Sequence, residues 1–446
     1  MMDAPGRTEQ SQQLFARACA LIPGGTQLIS RRPHAFAPGV APLYATRGRG
    51  ARIWDVDGHE YIDYGMSVSA CILGYADPVV TAAVREQLDD GVMYSLNHPA
   101  EIELAERLTA AVPCAEMVRY AKGGGEACAI AVRIARGVTG RDKVLFSGYH
   151  GWHDWYLAAN LAAGDVLEPH LLPGIEPLGV PRDLAGTSLP FPYGDVAALE
   201  RLLDEHSGQV AAVMLEPMRS RWPPPGYLAT VRSLTRRHGA VLIFDEVTTG
   251  FRHAVGGVET LLEVTPDVAV FAKSLSNGFA MAAVVGSRAV MEPAARMFIS
   301  STNWSDLVGI RAALATLQEI ERRDVPRLLR EFGERFQAGW NQAADRVGIA
   351  ARMTGLAACP QIEFTADSPD ASAALAALYA QEMAHRGVLC HAHPVHSAAH
   401  DEVDLDATLT AAEAALAEVE CAERRGDVVR RLAVPPAAPV FRRLVD

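Results

Sequence analysis

The chain has 446 residues, which suggests two or three domains, and its 49% apolar and 21% charged residues exclude a disordered or collagen-like polymer. Its 41 basic and 53 acidic residues give a formal charge of 41 − 53 = −12, which argues against a nucleic-acid partner. Of the 41 basic residues, 38 are Arg and only 3 are Lys (Lys122, Lys143 and Lys273), so each retained amine carries more information than usual.

In chain order, the polar stretch from Met1 to Gln13 lacks the basic-then-apolar pattern of a signal peptide. No run of about 18 apolar residues occurs, so a cytoplasmic chain with no membrane partner is expected. Residues 11–21 read as a short helix stopped by Ile22-Pro23-Gly24-Gly25. Residues 42–64 read as a β-meander with Asp57-Gly58 as its hairpin signal. From about 70 to 290, α and β patterns alternate. Helices cover 79–90 and 101–111, followed by a strand at 117–121, a helix at 126–137 and a strand at 143–147. A Gly- and Pro-rich loop fills much of 163–194; then come a strand at 210–217, a helix near 228–238, and strands at 240–246, 268–273 and 281–286. Short, continuously apolar strands between helices imply a largely parallel sheet buried on both faces. The remainder, 306–446, is helix-rich with short strands near 361 and 388. The seven Cys are scattered without a Cys-x-x-Cys pair, which points to reduced apolar fillers rather than a disulfide framework or zinc ribbon.

In open α/β sheets, ligands bind beyond the carboxyl ends of the strands. The 117–121 strand delivers Lys122-Gly123-Gly124-Gly125-Glu126 at a helix start. Exposed N–H groups there attract an anion such as phosphate, although such a turn can also be purely structural. The 143–147 strand leads to Tyr149-His150-Gly151-Trp152-His153-Asp154-Trp155-Tyr156, aromatics that can stack on a flat ring or simply pack. The 240–246 strand delivers Asp245-Glu246, where one carboxylate can face a cationic ring nitrogen or cap a helix. The 268–273 strand delivers Lys273. An amine at the end of a buried strand is costly unless paired or chemically used, and desolvation lowers its pKa as a Schiff-base lysine requires. Phosphate cradle, stacking aromatic, acid for a ring nitrogen and amine for an imine together describe pyridoxal phosphate (PLP) chemistry. His391, His393, His396 and His400 fall within ten residues; metal binding, substrate contact and neutral surface or packing roles are all open to them, a surface or packing role is expected, and no metal is expected.

Through WDVDGHEYIDY, ILGYADP, AIAVRIARGVTGRDK, YHGWHDWY, GAVLIFDEVTTGFR and PDVAVFAKSLSNGF, the chain resembles the class III (fold type I) PLP-dependent aminotransferases, most of all the glutamate-1-semialdehyde aminomutase-like branch. The resemblance implies an α/β large domain over 66–305, with a mostly parallel seven-stranded sheet sandwiched by helices. It also implies a smaller α+β domain built from 1–65 and 306–446. Carried over by position, Lys273 is the Schiff-base lysine and Asp245 the partner of the pyridine nitrogen. Val247 and Tyr149 flank the ring, with His150 beside them, and Gly124 and Gly125 offer N–H groups to the phosphate. Thr302 reaches the phosphate across a homodimer interface. Arg31 or Arg32 grips a substrate carboxylate, Ser67 belongs to the substrate pocket, and Glu216 is an active-site acid. Two departures stand out. The family's Ser-Gly-Thr phosphate loop is Gly123-Gly124-Gly125 here, and its Ser-Trp-Gly pocket segment is Ser67-Val68-Ser69. Lys122, where the family carries Asn, is expected to offset part of the missing hydroxyl contacts. The implied activity moves an amino group between a small-molecule donor and a carbonyl acceptor, in sugar or secondary-metabolite biosynthesis. An intramolecular aminomutase and a racemase or epimerase are the alternatives.

Overall fold

The computed structural model describes residues 8–33, 37, 39–161, 177–218 and 220–434. They form two compact units, one from the described residues of Met1–Pro78 and Arg327–Ala438, the other from those of Val79–Pro326. No helix among the described residues is long and apolar enough to cross a membrane.

The second unit is organised by a seven-stranded sheet. Its spatial order is Met117–Ala121, Ala282–Gly286, Val268–Phe271, Val241–Asp245, Val210–Leu215, Lys143–Ser147 and Ser188–Pro190. Ala282–Gly286 runs antiparallel to both neighbours, and the other pairings are parallel. Every residue of the Val210–Leu215, Val241–Asp245 and Val268–Phe271 strands is buried. That is why these strands read as unbroken apolar runs rather than as alternating ones. The alternation is instead between two cores. Ala212, Met214, Val241 and Ile243 pack with Ala127, Ala131, Ile134 and Ala135 of the Gly124–Thr139 helix on one face. Val213, Leu215, Leu242 and Phe244 pack on the other face with Leu199 and Leu203 of Val196–Glu205 and with Val231 and Leu234 of Tyr227–His238. Successive side chains of a strand point to opposite faces, so one sheet is clamped between two helical layers, as the resemblance implies.

The Val196–Glu205 helix and the Ser188–Pro190 strand were not anticipated from the sequence. The helix has a start signal, for the Asp195 carboxylate accepts from the Ala198 N–H. The strand has only three residues and ends in Pro190, which an outermost strand tolerates because no further strand needs its missing N–H. Residues 162–176, the middle of the expected loop, lie outside the described residues. The strand expected over 268–273 ends at Phe271, so Lys273 opens a separate turn, Lys273–Ser276.

In the first unit the meander is Ala45–Arg49, Arg52–Asp55 and Glu60–Asp63. Val388–Leu389 joins it parallel to Glu60–Asp63 and so ties the chain's two ends into one sheet. The core beside it contains Phe336, Trp340, Tyr379, Leu405 and Leu416, and Trp340 Nε1 donates to the Tyr379 hydroxyl at 2.8 Å. His396 and His400 are buried in an aromatic cluster. The ring centroid of His396 lies 4.9 Å from that of Phe332, and the ring centroid of His400 lies 4.6 Å from that of Tyr64. His396 Nε2 faces the Leu329 carbonyl at 2.7 Å, and the Ser397 N–H donates to His400 Nδ1 at 3.1 Å. Two of the four clustered His are thus packing residues with backbone partners.

Burial pushes His400 down to about 3, with the neighbouring His396 adding to the effect. Its folded pKa is below its unfolded value near 6.5, so its stabilising contribution is complete above that pH and is lost as pH falls toward 3. Thermal or denaturant unfolding between pH 7 and 5 should show wild type losing about 2 kcal/mol more than His400→Gln, which keeps an acceptor for Ser397 but does not titrate. Parallel losses in the two proteins would contradict this assignment.

Candidate active site

The carboxyl ends of adjacent strands of the second unit deliver the polar groups. Val241–Asp245 ends in Asp245, which is only 4% exposed. Three donors or ring nitrogens surround its carboxylate. The Val247 N–H donates to Oδ1 at 3.0 Å, His150 Nδ1 lies 2.7 Å from Oδ2, and the Cys128 thiol donates to Oδ2 at 3.4 Å. Cys128, His150 and Asp245 have ligand atoms within 4.8 Å of one another. The 2.7 Å nitrogen–oxygen separation is a hydrogen-bond length, whereas two ligands on one tetrahedral zinc stand roughly 3.3 Å apart given bonds of about 2.0–2.1 Å. Burial and the adjoining Asp245 push the Cys128 thiol well above its usual value, so it keeps its proton and acts as a donor rather than as a thiolate ligand.

Glu246 turns to the other side of the strand end. Its carboxyl accepts from the Thr249 hydroxyl at 2.6 Å and from the Val258 N–H at 2.8 Å. Burial nevertheless pushes it up to about 8. At neutral pH Glu246 is therefore mostly protonated and adds no second negative charge beside Asp245.

The next strand, Val268–Phe271, runs parallel to Val241–Asp245 and leads into Lys273. The Lys273 ammonium donates to the Thr248 hydroxyl at 2.9 Å, so the amine is half-buried at the turn that follows Asp245. Lys273 has φ +49°, a left-handed conformation that costs a residue with a side chain on the order of 1 kcal/mol. Backbone strain of this kind is held in place by its surroundings and gathers at functional sites.

The glycine loop opens the Gly124–Thr139 helix, with Gly123 as its N-cap. A Cβ on Gly124 would meet the Val247 methyls at 2.8 Å, and one on Gly125 would meet Gly151 Cα at 3.1 Å. Gly124 and Gly125 are therefore glycine for a steric reason, whereas Gly123 is not crowded. Lys122, expected to offset part of the missing hydroxyl contacts, is paired with a carboxylate here. Its ammonium donates to Asp306 Oδ2 at 2.8 Å, where Asp306 caps the Leu307–Arg323 helix.

Tyr149 is exposed, and its N–H donates to Glu216 Oε2 at 3.2 Å, so the buried Glu216 braces the backbone of the Gly148–Tyr149 turn. His150 is 1% exposed and sits behind Asp245, with Trp155 stacked beside it at 6.3 Å. The aromatic segment thus divides: Trp155 and Tyr156 are buried, while Tyr149 is 38% exposed with its ring edge-on to that of Tyr156 at 5.9 Å. Thr302 is exposed at the start of the Thr302–Ser305 turn.

Three expected residues lie in the first unit. Arg31 donates to the Ser67 hydroxyl at 3.3 Å, whereas the Arg32 guanidinium folds toward Gly24. Ser67 belongs to an unusual turn in which Met66, Ser67, Val68 and Ser69 all have positive φ, from +40° to +66°. Each such residue costs on the order of 1–2 kcal/mol. The opposing anchor is Asp63, which accepts from the Gly65 and Met66 N–H groups and from the Tyr75 hydroxyl. Sequence reasoning missed Thr248, Cys128 and this turn. Cys128 had one available signal, its place one helical turn after Gly124.

The family model described as aminotransferase class-III matches residues 35–409. Among curated relatives, a 3-aminobutyryl-CoA aminotransferase of Cloacimonas acidaminovorans is 33% identical, covering 92% of this chain and 97% of that protein. A glutamate-1-semialdehyde 2,1-aminomutase of Roseiflexus castenholzii is 37% identical, covering 94% and 100%. Among solved structures, the FumI protein of Sphingopyxis sp. MTA144, determined with PLP, superposes with a TM-score of 0.84 at 29% identity, covering 93% of this chain and 97% of that one. An omega-transaminase from Sphaerobacter thermophilus superposes at 0.81 with 30% identity, covering 92% and 97%.

The glycine geometry makes a paired prediction. Nothing lies within 4 Å of a Cβ on Gly123, so Gly123→Ser should fit, cap the helix and tighten PLP binding by about fivefold, the worth of one hydrogen bond. Gly125→Thr, crowded by Gly151, should weaken it. PLP titration of cofactor-depleted protein checks both; equal effects of the two substitutions would contradict the steric account.

Proposed function

The chain belongs to the class-III aminotransferase family, and from that premise we propose that it transfers an amino group from a small-molecule donor to a carbonyl acceptor in sugar or secondary-metabolite biosynthesis. PLP is the cofactor of this family, and the residues of the second unit fit it: an N–H cradle, a buried carboxylate and an amine on adjoining strand ends. When bound, PLP supplies an aldehyde for condensation with amines and a protonated ring that accepts the electron pair left at a substrate carbon.

The chain's own groups do the rest. The Gly124 and Gly125 N–H groups hold the phosphate at the helix start. The Asp245 carboxylate, fixed by Val247, His150 and Cys128, keeps the ring nitrogen protonated. Val247 and Tyr149 are the residues that would flank the ring. The Lys273 amine, held by the Thr248 hydroxyl, would attach the cofactor through its aldehyde carbon and, once released, would take the proton from the substrate's amine-bearing carbon as base and return it as acid to that cofactor carbon. Glu216 acts through the backbone of Tyr149, as a brace. Arg31, whose guanidinium is steadied by Ser67, is the better candidate of the two arginines for a substrate carboxylate, since Arg32 is turned toward Gly24. Thr302 would act on the phosphate of a second subunit in a homodimer; Thr302 is exposed, as such a contact requires. A cytoplasmic location accords with this activity.

The observation that carries the reading is the Lys273 amine beside the turn that Asp245 begins. Relatives named as aminomutases favour a second reading, in which both nitrogen transfers occur on one carbon skeleton. Against it stands the Met66–Ser69 turn, which has no aromatic side chain at the segment where the aminomutases carry Trp. Assays of PLP-loaded protein with and without an amino donor separate the two. Product should require the donor; product from a single substrate alone would establish the aminomutase reading. Lys273→Arg should lower turnover by on the order of 10³-fold, because a guanidinium neither forms an imine nor exchanges protons near neutral pH.

A further inference from the structure

We infer that Cys128 is a positioning residue for the reaction: its thiol aims the Asp245 carboxylate at the cofactor's ring nitrogen, from the same helix whose first turn receives the phosphate. This rests on the PLP reading above. Gly124 and Cys128 are four residues apart on the Gly124–Thr139 helix and therefore share one face. That face meets the strand-end turn at two points. The Gly124 Cα approaches the Val247 methyls so closely that a Cβ would lie 2.8 Å from them, and Cys128 Sγ lies 3.4 Å from Asp245 Oδ2. Phosphate cradle and ring-nitrogen acid are thus spaced by a single rigid element.

Cys128 is 1% exposed, and its donor is directed at the oxygen that also meets His150. Burial and Asp245 keep the proton on sulfur, so the group donates rather than repels. An S–H is a weak donor, which suits the task. It restricts rotation of the carboxylate without consuming the charge that the ring nitrogen needs. As a simple filler, Cys128 would be replaceable by any side chain of similar size.

The test compares wild type, Cys128→Ala and Cys128→Val, the last of which fills the volume without a donor. Each protein is stripped of cofactor and titrated with PLP and with the carbocyclic analogue in which a CH replaces the ring nitrogen. Both variants should bind PLP about fivefold more weakly and the analogue within twofold of wild type, because only PLP offers Asp245 a partner. Equal weakening toward both compounds, or no weakening toward PLP, would overturn the assignment and leave Cys128 a packing residue. Wild-type protein that takes up no PLP would instead overturn the cofactor reading itself, and this inference with it.

Discussion

A carboxylate buried at the end of a strand is the constraint around which this site is built. Taking a charge out of water costs several kcal/mol unless partners replace the lost hydration. Asp245 obtains partners from three separate elements: the N–H of its own following turn, His150 from the loop after Lys143–Ser147, and Cys128 from the Gly124–Thr139 helix. These elements meet only because the sheet order brings their strand ends to one edge. Val268–Phe271, which leads to Lys273, lies directly beside Val241–Asp245, so acid and amine are delivered by parallel neighbours about 4.8 Å apart.

The same geometry separates charges. Successive strand residues point to opposite faces, so Asp245 and Glu246 enter different surroundings. Glu246, bonded to Thr249 and Val258 and pushed up by burial, is mostly neutral at physiological pH. Asp245 is held by the Val247 N–H, His150 and the Cys128 thiol. On the opposite side of the turn, Lys273 is held by Thr248 in a left-handed conformation that its own side chain disfavours. This strain, at one of only three lysines in the chain, is what motivates the proposed chemical role of Lys273.

The parallel sheet was legible because burial on both faces leaves a simple record, an unbroken apolar run, at Val210–Leu215 and through Phe244 in Val241–Asp245. Lys273 drew notice for a related reason, as a costly residue just after such a run in a chain that otherwise writes Arg. Ser188–Pro190 was too short to register, and Val196–Glu205 lay beyond a loop that obscured its start. Other features depend on partners remote in sequence. Lys122 sits beside the glycine loop in the chain, yet its charge is taken up by Asp306, 184 residues away. Cys128 reads as a small apolar filler until the helix is docked and its thiol meets Asp245. The left-handed Met66–Ser69 turn carries no glycine, the one residue type that would have announced it.

The central claim is that the Lys273 amine is the point of cofactor attachment. The scarcity of lysine allows a direct measurement: reduce the PLP-loaded protein with borohydride, digest it, and locate the added pyridoxyl mass by mass spectrometry. The account predicts the group on Lys273 and on neither Lys122 nor Lys143, whose ammonium groups are bonded to Asp306 and to the Gly186 carbonyl. A pyridoxyl group on either of those residues, or on none of the three, would contradict it.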